Sequence, residues 1–171
     1  VFVVSNGQLN VLPPRGISDV DMDIGGCLGD NCSGQTLLLS EGTIGVATGG
    51  SFQLRDSVSY GARRLALGMT SINLGCGEAL AAAAADGALP PGLSLNQQVL
   101  QGLLRGNTAL GTPALETLAL SARDAVNVFG SVDLDTRDAG TGRSSLKELV
   151  LGAPAIHGYG AEGDRARIFA D

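Results

Sequence analysis

Aromatic side chains are scarce in this sequence of 171 residues: they make up 4% of it, and tryptophan is absent. Because aromatic residues normally supply much of the area that a core buries, this scarcity argues against a bulky aromatic core. Glycine occurs 26 times, which is about twice its usual share. Hydrophobic residues still reach 44%, too many for a disordered tail. We therefore expect many short, closely stacked elements joined by frequent turns.

Positive charge and long apolar runs are also lacking. Lysine and arginine total 11 against 17 aspartates and glutamates, which gives a net charge of −6. Nucleic acids and anionic lipid surfaces require clustered basic residues, and the densest basic stretch is the pair Arg63-Arg64. The longest apolar run lies around residues 79–85, far short of the roughly 20 residues of a bilayer span. The sequence thus predicts no nucleic-acid partner and no transmembrane segment.

Four segments share one apolar spacing, in which Leu-x-Leu is followed by Gly or Ser, a few small or polar residues and a β-branched residue. They are LLLSEGTIGV from Leu37, LALGMTSINLG from Leu65, LALSARDAVNVFG from Leu118 and LVLGAPAIHGYG from Leu149. The β-branched residue follows the first leucine by seven positions at Ile44, Ile72 and Ile156, and by eight at Val126. A bulge absorbs such a one-residue slip.

Each segment predicts two short strands around a tight corner, and repetition of such a unit is typical of a solenoid. The stretch SVDLD adds a strand in which Val132 and Leu134 point inward. The fold class we expect is therefore all-β, a parallel β-helix with a narrow aliphatic core. A β-sandwich is the alternative, but it would normally show longer strands and regular hairpin turns.

A helical insertion is predicted within this solenoid at residues 78–106. The third segment starts 53 residues after the second, about one coil too many. Glu78 to Asp86 is alanine-rich and ends at Gly87, and a second set of apolar residues at helical spacing ends at Gly106. That set is Leu95, Val99, Leu100, Leu103 and Leu104. We expect two helices that cap or flank the solenoid.

Residues 65–171 resemble the large exoproteins of the filamentous haemagglutinin family. The resemblance is carried by LETLALSARDAVNVFGSVDLDT followed by LKELVLGAPAIHGYGAEGDRARIFAD, and by LNQQVLQGLLRGNTALGTPALETL. It implies a right-handed β-helix that is exported unfolded through an outer-membrane two-partner secretion transporter. It also implies a secreted or cell-surface protein, an adhesin or a stalk, with a host-cell or cell-surface receptor as partner. Three cysteines depart from the family pattern.

Both ends of the sequence are strand-like, VFVV at the start and ARIFAD at the finish. We therefore expect residues 1–171 to be one β-helix segment of a longer polypeptide. Its predicted role is structural or adhesive, with no catalysis of its own and no cofactor.

The single histidine, His157, follows the inward position Ile156 and is predicted to point outward. Its equivalents in the other segments are Asn73, Asn127 and Gly45. Catalysis would need a positioned nucleophile or carboxylate beside it, and no spacing supplies one. We interpret His157 as a surface residue.

Two further stretches are interpreted as turns. Gly158 to Gly163 match G-x-G-x-x-G, but a dinucleotide site needs that motif to open a helix after a strand. Here a strand-like stretch follows, so we expect the glycines to form corners. Thr141 to Ser145 are expected to form a solvated loop.

Cys27 and Cys32 enclose a turn-forming stretch and are the candidate pair for a structural disulfide. Free thiols and a metal site are the alternatives, although one cysteine pair without nearby histidines is too few ligands for structural zinc. Cys76 is left over: it is either a small buried residue or the partner of one of the other two.

Aspartates alternate in DVDMDIGG, with Asp19, Asp21 and Asp23 on one strand face and apolar residues on the other. Such a row keeps an exposed strand soluble. It is also the one candidate for calcium binding, together with Asp30. The alternative function, a polysaccharide-active β-helix enzyme, would use this carboxylate row with Arg15 or Arg55 as its basic partner.

Overall fold

The computed structural model describes residues 2–13, 15–16, 19–26, 36–55, 57–105, 111–138, 140–144 and 146–169. Strands make up 51% of these residues and helices 12%, so the protein is mostly β. The strands and helices run in the order β1 (Phe2–Ser5), β2 (Gln8–Val11), β3 (Met22–Ile24), β4 (Thr36–Ser40), β5 (Thr43–Ala47), β6 (Phe52–Leu54), β7 (Val58–Gly61), β8 (Arg64–Gly75), α1 (Gly77–Ala85), β9 (Leu93–Asn96), α2 (Gln97–Arg105), β10 (Thr117–Phe129), β11 (Val132–Asp135), β12 (Glu148–Gly152), β13 (Ile156–Tyr159) and β14 (Ala166–Phe169).

The named strands pair in parallel. Most of them form two runs of neighbouring strands, and both runs include β8 and β10. The first run has the order β2, β5, β8, β10 and β12. The second has the order β3, β6, β9, β8, β10 and β13. Since the first halves of β8 and β10 belong to one run and their second halves to the other, the sheet curls around the core. Two smaller sheets, β1-β4-β7 and β11-β14, complete the strand pairing.

The first run stacks aliphatic side chains into two continuous columns inside the curl. One column is Leu9, Ile44, Leu65, Leu118 and Leu149, and the other is Val11, Val46, Leu67, Leu120 and Leu151. The middle members of both are buried, and the end members pack partly buried against the same core. The predicted equivalence of Leu65, Leu118 and Leu149 is confirmed by this register.

The predicted one-residue slip is also confirmed. Val126 pairs with Ile72, and the register between β8 and β10 shifts between Ala122 and Ala125. Farther along, Val132 and Leu134 of β11 are buried as expected, at 2% and 3% exposure.

The prediction for the first segment is wrong in its alignment. Leu65 pairs with Ile44, whereas Leu37 lies on β4 and pairs with Ser59 of β7. Leu38 is the buried residue of the three leucines, and its two neighbours are half-buried. Three consecutive leucines present the same side chain to both faces, so alternation cannot tell which face meets the core. Gly45, as a result, pairs with Ala66 and is not an equivalent of His157.

Helix α1 ends where the sequence indicates. Gly87 has φ +66°, and its N–H donates to the carbonyl of Ala84 while the N–H of Ala88 donates to Ala83. This is a Schellman motif, which glycine favours because it adopts a left-handed backbone without strain. Leu80 and Ala83 pack against Phe129 on the outer side of the sheet, so α1 flanks the strands.

The second half of the inserted stretch differs from the prediction. Leu95 lies in β9, where it pairs with Leu74, and α2 begins only at Gln97. Leu93 and Leu95 are both 0% exposed, because strand alternation points them into the core. The leucines of α2 at 100, 103 and 104 are buried in the main core cluster together with the strand leucines. This helix therefore forms part of the core and does not only flank it.

The last rung, which we define as β12, β13 and β14, is much more exposed than the strands beneath it. Ile156 pairs with the buried Val126 yet is 66% exposed. The prediction that Ile156 belongs to the core is therefore wrong. Its backbone register is that of a core residue, but in the described part of the chain no strand stacks on its far side.

Candidate functional site

A groove lies on the outer side of the second run, where the loop before β9 faces β6. It has a volume of about 470 Å³ and is lined by residues 51–55, residues 89–92 and Ser94. Phe52 is buried in the core at 1% exposure, so alternation turns Gln53 and Arg55 outward. The opposite wall is held in place because Asn73 donates from Nδ2 to the carbonyl oxygen of Pro90 at 2.9 Å.

Asp23, the last residue of the predicted carboxylate row, is paired with Arg55 at this groove. Arg55 donates from Nε and Nη2 to the two carboxylate oxygens, at 2.9 and 2.7 Å. These hydrogen bonds, reinforced by the charge of the guanidinium, hold the pKa of Asp23 below its ordinary value. A general acid for glycoside cleavage must be protonated at working pH, so Asp23 is unsuited to that role.

The neighbouring aspartate is engaged by backbone. The N–H of Ser51 donates to Oδ1 of Asp21 at 2.7 Å, which joins the segment before β3 to the segment before β6. Within the described residues, no three His, Cys, Asp or Glu side chains are placed to hold a metal ion. The carboxylate row thus joins β3 to β6. Of the two candidate basic residues, Arg55 is the one that pairs with it.

A polar ladder runs along the outer side of β8, β10 and β13. Asn73, Asn127 and His157 are register partners, as the sequence predicts. Nδ2 of Asn127 donates to Oδ1 of Asn73 at 2.9 Å. The two asparagines are 2% exposed or less, and Asn73 is also bonded to the loop that carries Pro90. His157 is exposed and has Tyr159 as its aromatic neighbour, with 6.4 Å between ring centroids.

An aromatic pair lies beside this ladder. Phe129 of β10 and Tyr159 of β13 are register partners, and their rings stack with centroids 4.9 Å apart. Phe129 is buried under α1, whereas Tyr159 is 52% exposed. The outer side of the second run is thus covered at β8 and accessible at β13.

The glycine motif agrees with its turn prediction in part. Gly158 lies inside β13 and forms no corner, whereas Gly160 and Gly163 lie between β13 and β14. The motif leads from strand to strand and opens no helix. In the loop that precedes β12, Oδ1 of Asp138 accepts hydrogen bonds from the backbone N–H groups of Gly140 and Thr141. Ser145 lies outside the described residues.

Cys27 and Cys32 also lie outside the described residues, so the disulfide between them stays a prediction. Cys76 is described: it is a free thiol, partly exposed, at the N-cap of α1.

A charged ladder that the sequence analysis missed lies at the corner before β8, β10 and β12. Glu116 accepts from Nη1 of Arg63 and contacts Nζ of Lys147, both at 3.1 Å. Backbone hydrogen bonds from Glu116 to Arg63 and from Lys147 to Glu116 stack the three residues. Lys147 and then Arg63 hold the pKa of Glu116 below its ordinary value. Each residue stands two positions before the first leucine of its segment, and this shared offset was the signal that could have found it.

No family model matches the chain, and no curated protein and no solved structure matches it either. Among the described residues, neither helix has the length and apolar character needed to cross a membrane.

Proposed function

We propose that this chain is a right-handed parallel β-helix segment of a large bacterial exoprotein, secreted or displayed at the cell surface. Its role is structural and adhesive, with no catalysis of its own. The parent is exported through an outer-membrane two-partner secretion transporter, and its outer surface contacts a receptor on a host cell or another cell. The proposal joins the family resemblance of residues 65–171 to the stacked register of the strands.

The observation that carries the proposal is the pair of aliphatic columns. Five successive strands place Leu, Ile or Val at both inward positions, while the outward position between them carries a polar or small residue in the first four strands and Val150 in the last. A chain whose units contact mainly their neighbours grows by adding coils, and it presents a long lateral surface. Such a surface suits a stalk or an adhesin.

The polysaccharide-active alternative has weaker support. It needs one carboxyl that donates a proton and a second that acts as base or nucleophile. Asp23 is held ionised by Arg55, and Asp21 accepts a backbone hydrogen bond.

The test is the size and location of the native polypeptide. Whole cells and culture medium are blotted with an antibody to residues 118–160, before and after protease treatment of intact cells. A cytoplasmic marker that survives the protease is the control for cell integrity. We expect a released or protease-sensitive species far larger than the 17.2 kDa of this chain. A protease-protected product near that mass would contradict the proposal and favour the enzyme alternative.

A further inference from the structure

Strands β6 and β9 part company within the second run, and the groove described above lies where they separate. Their register contains one pair, Phe52 with Leu93, whereas β9 keeps four register pairs with β8 on its other side. The N–H of Phe52 donates to the carbonyl oxygen of Gly92 at 3.0 Å. Beyond that point no register pair joins β6 to β9. The seam between these two described strands is therefore open toward their C-terminal ends.

The open seam leaves main-chain groups of β6 and β9 without a strand partner. The N–H of Arg55 donates to Ile24 of β3, and that of Phe52 is directed the opposite way, toward β9. Because alternate residues of a strand direct their main-chain groups to the same side, Leu54 presents its N–H and C=O toward β9. Neither Leu54 nor Ser94 belongs to a β6–β9 register pair, and both line the groove. Such groups favour a ligand that supplies donors and acceptors.

Polar side chains with spare hydrogen-bonding capacity lie beside these main-chain groups. Gln53 is exposed, and within the described residues its amide makes no hydrogen bond, so it offers two donors and an acceptor. Arg55 uses Nε and Nη2 on Asp23, which leaves Nη1 as a further donor. The hydroxyl of Ser94 accepts from Asn73 at 3.4 Å and keeps its own proton to donate.

The facing wall of the groove is apolar and held in place from beneath. It consists of Leu89, Pro90 and Pro91, and the proline rings restrict the backbone there. Asn73 is 0% exposed, and its amide donates to the carbonyl of Pro90 and to the hydroxyl of Ser94. One buried side chain thus fixes both walls. The groove is preformed, with polar groups on one side and apolar groups on the other, as small-molecule sites commonly are.

The charges around the groove disfavour an anionic ligand. The guanidinium of Arg55 is compensated by the carboxylate of Asp23, 2.7 Å away. Asp21, whose carboxylate accepts the N–H of Ser51, adds negative charge beside the same wall. The whole chain carries a net charge of −6. Because these charges repel anions, a neutral ligand is the better match.

The dimensions of the seam favour a compact ligand over an added peptide strand. β6 has three residues and β9 has four, and in β6 the unpaired main-chain groups that face the seam belong to Leu54. A peptide that extends a sheet pairs over several residues, which this seam is too short to provide. The volume of about 470 Å³ lies within the range of roughly 300–1,000 Å³ for small-ligand sites. Each hydroxyl of a sugar both donates and accepts, within a compact ring.

We propose that this groove binds a neutral saccharide. Hydroxyls of the sugar bond to the amide of Gln53, to the main chain of Leu54 and to Ser94, while the C–H face of the ring packs against the wall at Pro90 and Pro91. The proposal rests on the adhesive role proposed above, because it assigns the receptor a chemistry: uncharged sugar units of a glycan on another cell.

The test is a titration of the isotope-labelled chain with neutral disaccharides, followed by NMR. Lactose, maltose, cellobiose and diacetylchitobiose are the probes. We expect saturable shifts of the backbone amide signals of Gln53, Leu54 and Ser94 with at least one of them, and no shifts in the last rung. Absence of shifts with all four at millimolar concentration would overturn the proposal, as would shifts confined to residues away from the groove.

Two comparison ligands test the proposed class. The disaccharide that binds, prepared in its uronic acid form, should bind more weakly because it carries a carboxylate. Trialanine, which offers peptide groups without a sugar ring, should leave the groove signals unchanged. Equal or tighter binding of the uronic acid form would overturn the assignment to neutral saccharides. Binding of trialanine without binding of any sugar would identify the groove as a peptide site and overturn the proposal.

A matched pair of glutamine substitutions locates the binding. Gln53→Ala should raise the Kd about threefold to tenfold, the loss expected for one or two hydrogen bonds to a neutral ligand. Gln98→Ala removes the same amide from an exposed position on α2 and should leave the Kd unchanged. Circular dichroism checks that both variants are folded. Equal Kd values for the two variants would overturn the placement of the ligand. The protease experiment on the native polypeptide does not depend on sugar binding, so the two proposals fail separately.

Discussion

Asn127 donates a hydrogen bond of 2.9 Å to Asn73, and this bond joins the outer sides of two strands 54 positions apart in the chain. Asn73 in turn donates to the carbonyl of Pro90 and to Oγ of Ser94. Both asparagines are almost fully buried. The hydrogen bonds from Asn127 to Asn73 and from Asn73 to the backbone carbonyl of Pro90 thus anchor the inserted loop to the strands.

Replacing Asn127 with alanine should destabilise the protein by about 1–3 kcal/mol, because it leaves the buried Oδ1 of Asn73 without its donor. Urea unfolding followed by circular dichroism measures the change. His157→Ala is the control, since it removes the exposed member of the same ladder and should change stability by no more than about 0.5 kcal/mol. An equal cost for both substitutions would show that the hydrogen bond contributes little.

The sequence predicted the ladder but not its burial. Apolar spacing alone aligned Asn73, Asn127 and His157, because each directly follows the β-branched residue of its segment and those residues are register partners. Asn73 is bonded to the loop at Pro90, 17 positions along the chain, and no local pattern encodes that contact. The mistakes at Leu37 and Leu95 have a related cause. A continuous apolar run such as LLL has no periodicity, and a leucine pair before a helix fits either a strand or the helix.

The residues that form the candidate site could be predicted from the sequence, but which of them pair with each other could not. DVDMDIGG placed Asp23 outward on a strand, and Arg55 was available as a basic residue. Which of the two arginines would meet which aspartate depends on the register between β3 and β6. That register is set by turns whose geometry a single sequence does not reveal.

Gly92 should tolerate no side chain. Its φ is +145°, and an added Cβ would overlap the backbone carbonyl oxygen of Ser71. Gly92→Ala is therefore expected to cost about 2–4 kcal/mol through backbone strain and overpacking. Thermal unfolding monitored by circular dichroism measures this as a lower Tm.

The matched control for that experiment is Gly102→Ala. Gly102 lies within α2, and an added Cβ there meets nothing within 4 Å. Alanine has the higher helix propensity, so this variant should be more stable by about 0.5–1 kcal/mol. If both substitutions lower Tm similarly, the proposed close approach at Gly92 is incorrect.

Glu116→Gln should weaken the corner that joins β8, β10 and β12. Because the pKa of Glu116 is lowered by Lys147 and Arg63, its ionised form stabilises the fold above the ordinary carboxyl pKa of 4.5. That contribution is lost as pH falls through the lower folded pKa. We expect a lower Tm for the variant at neutral pH and low salt, and convergence with the wild type in acid.

Two controls, added salt and substitution of a second glutamate, distinguish the loss of the Glu116 ion pairs from a general change in charge. Added salt should shrink the difference in Tm, since the pairs are partly exposed and therefore screened. Glu41→Gln removes the same charge at an exposed position outside the ladder, and it should leave the acid dependence as in the wild type. A Glu116 variant with an unchanged pH profile would contradict the prediction.

The mass of the chain after alkylation reports which cysteines are paired. The free thiol of Cys76 and the predicted bond between Cys27 and Cys32 together require that alkylation of the oxidised, unfolded chain adds one label. After reduction the same treatment should add three. Peptide mapping then identifies which cysteines are bonded, and a labelled Cys27 or Cys32 before reduction would refute the pairing.

Asp135 should titrate well below an ordinary aspartate. Arg137 donates to it from Nε and Nη2, both at 2.9 Å, and from its backbone N–H at 3.1 Å. These hydrogen bonds lower the pKa of Asp135 to about 2. Because the folded pKa is depressed, the stability that this carboxylate contributes is present above its unfolded pKa of 3.8 and is lost as pH falls toward 2.

Arg137→Gln should move the titration midpoint of the Asp135 carboxyl carbon, followed by NMR, upward toward 3.8. Arg143→Gln, which removes a nearby arginine without touching those hydrogen bonds, should leave the midpoint near 2. Equal shifts in the two variants would mean that general positive charge, and not the Arg137 hydrogen bonds, sets the pKa of Asp135.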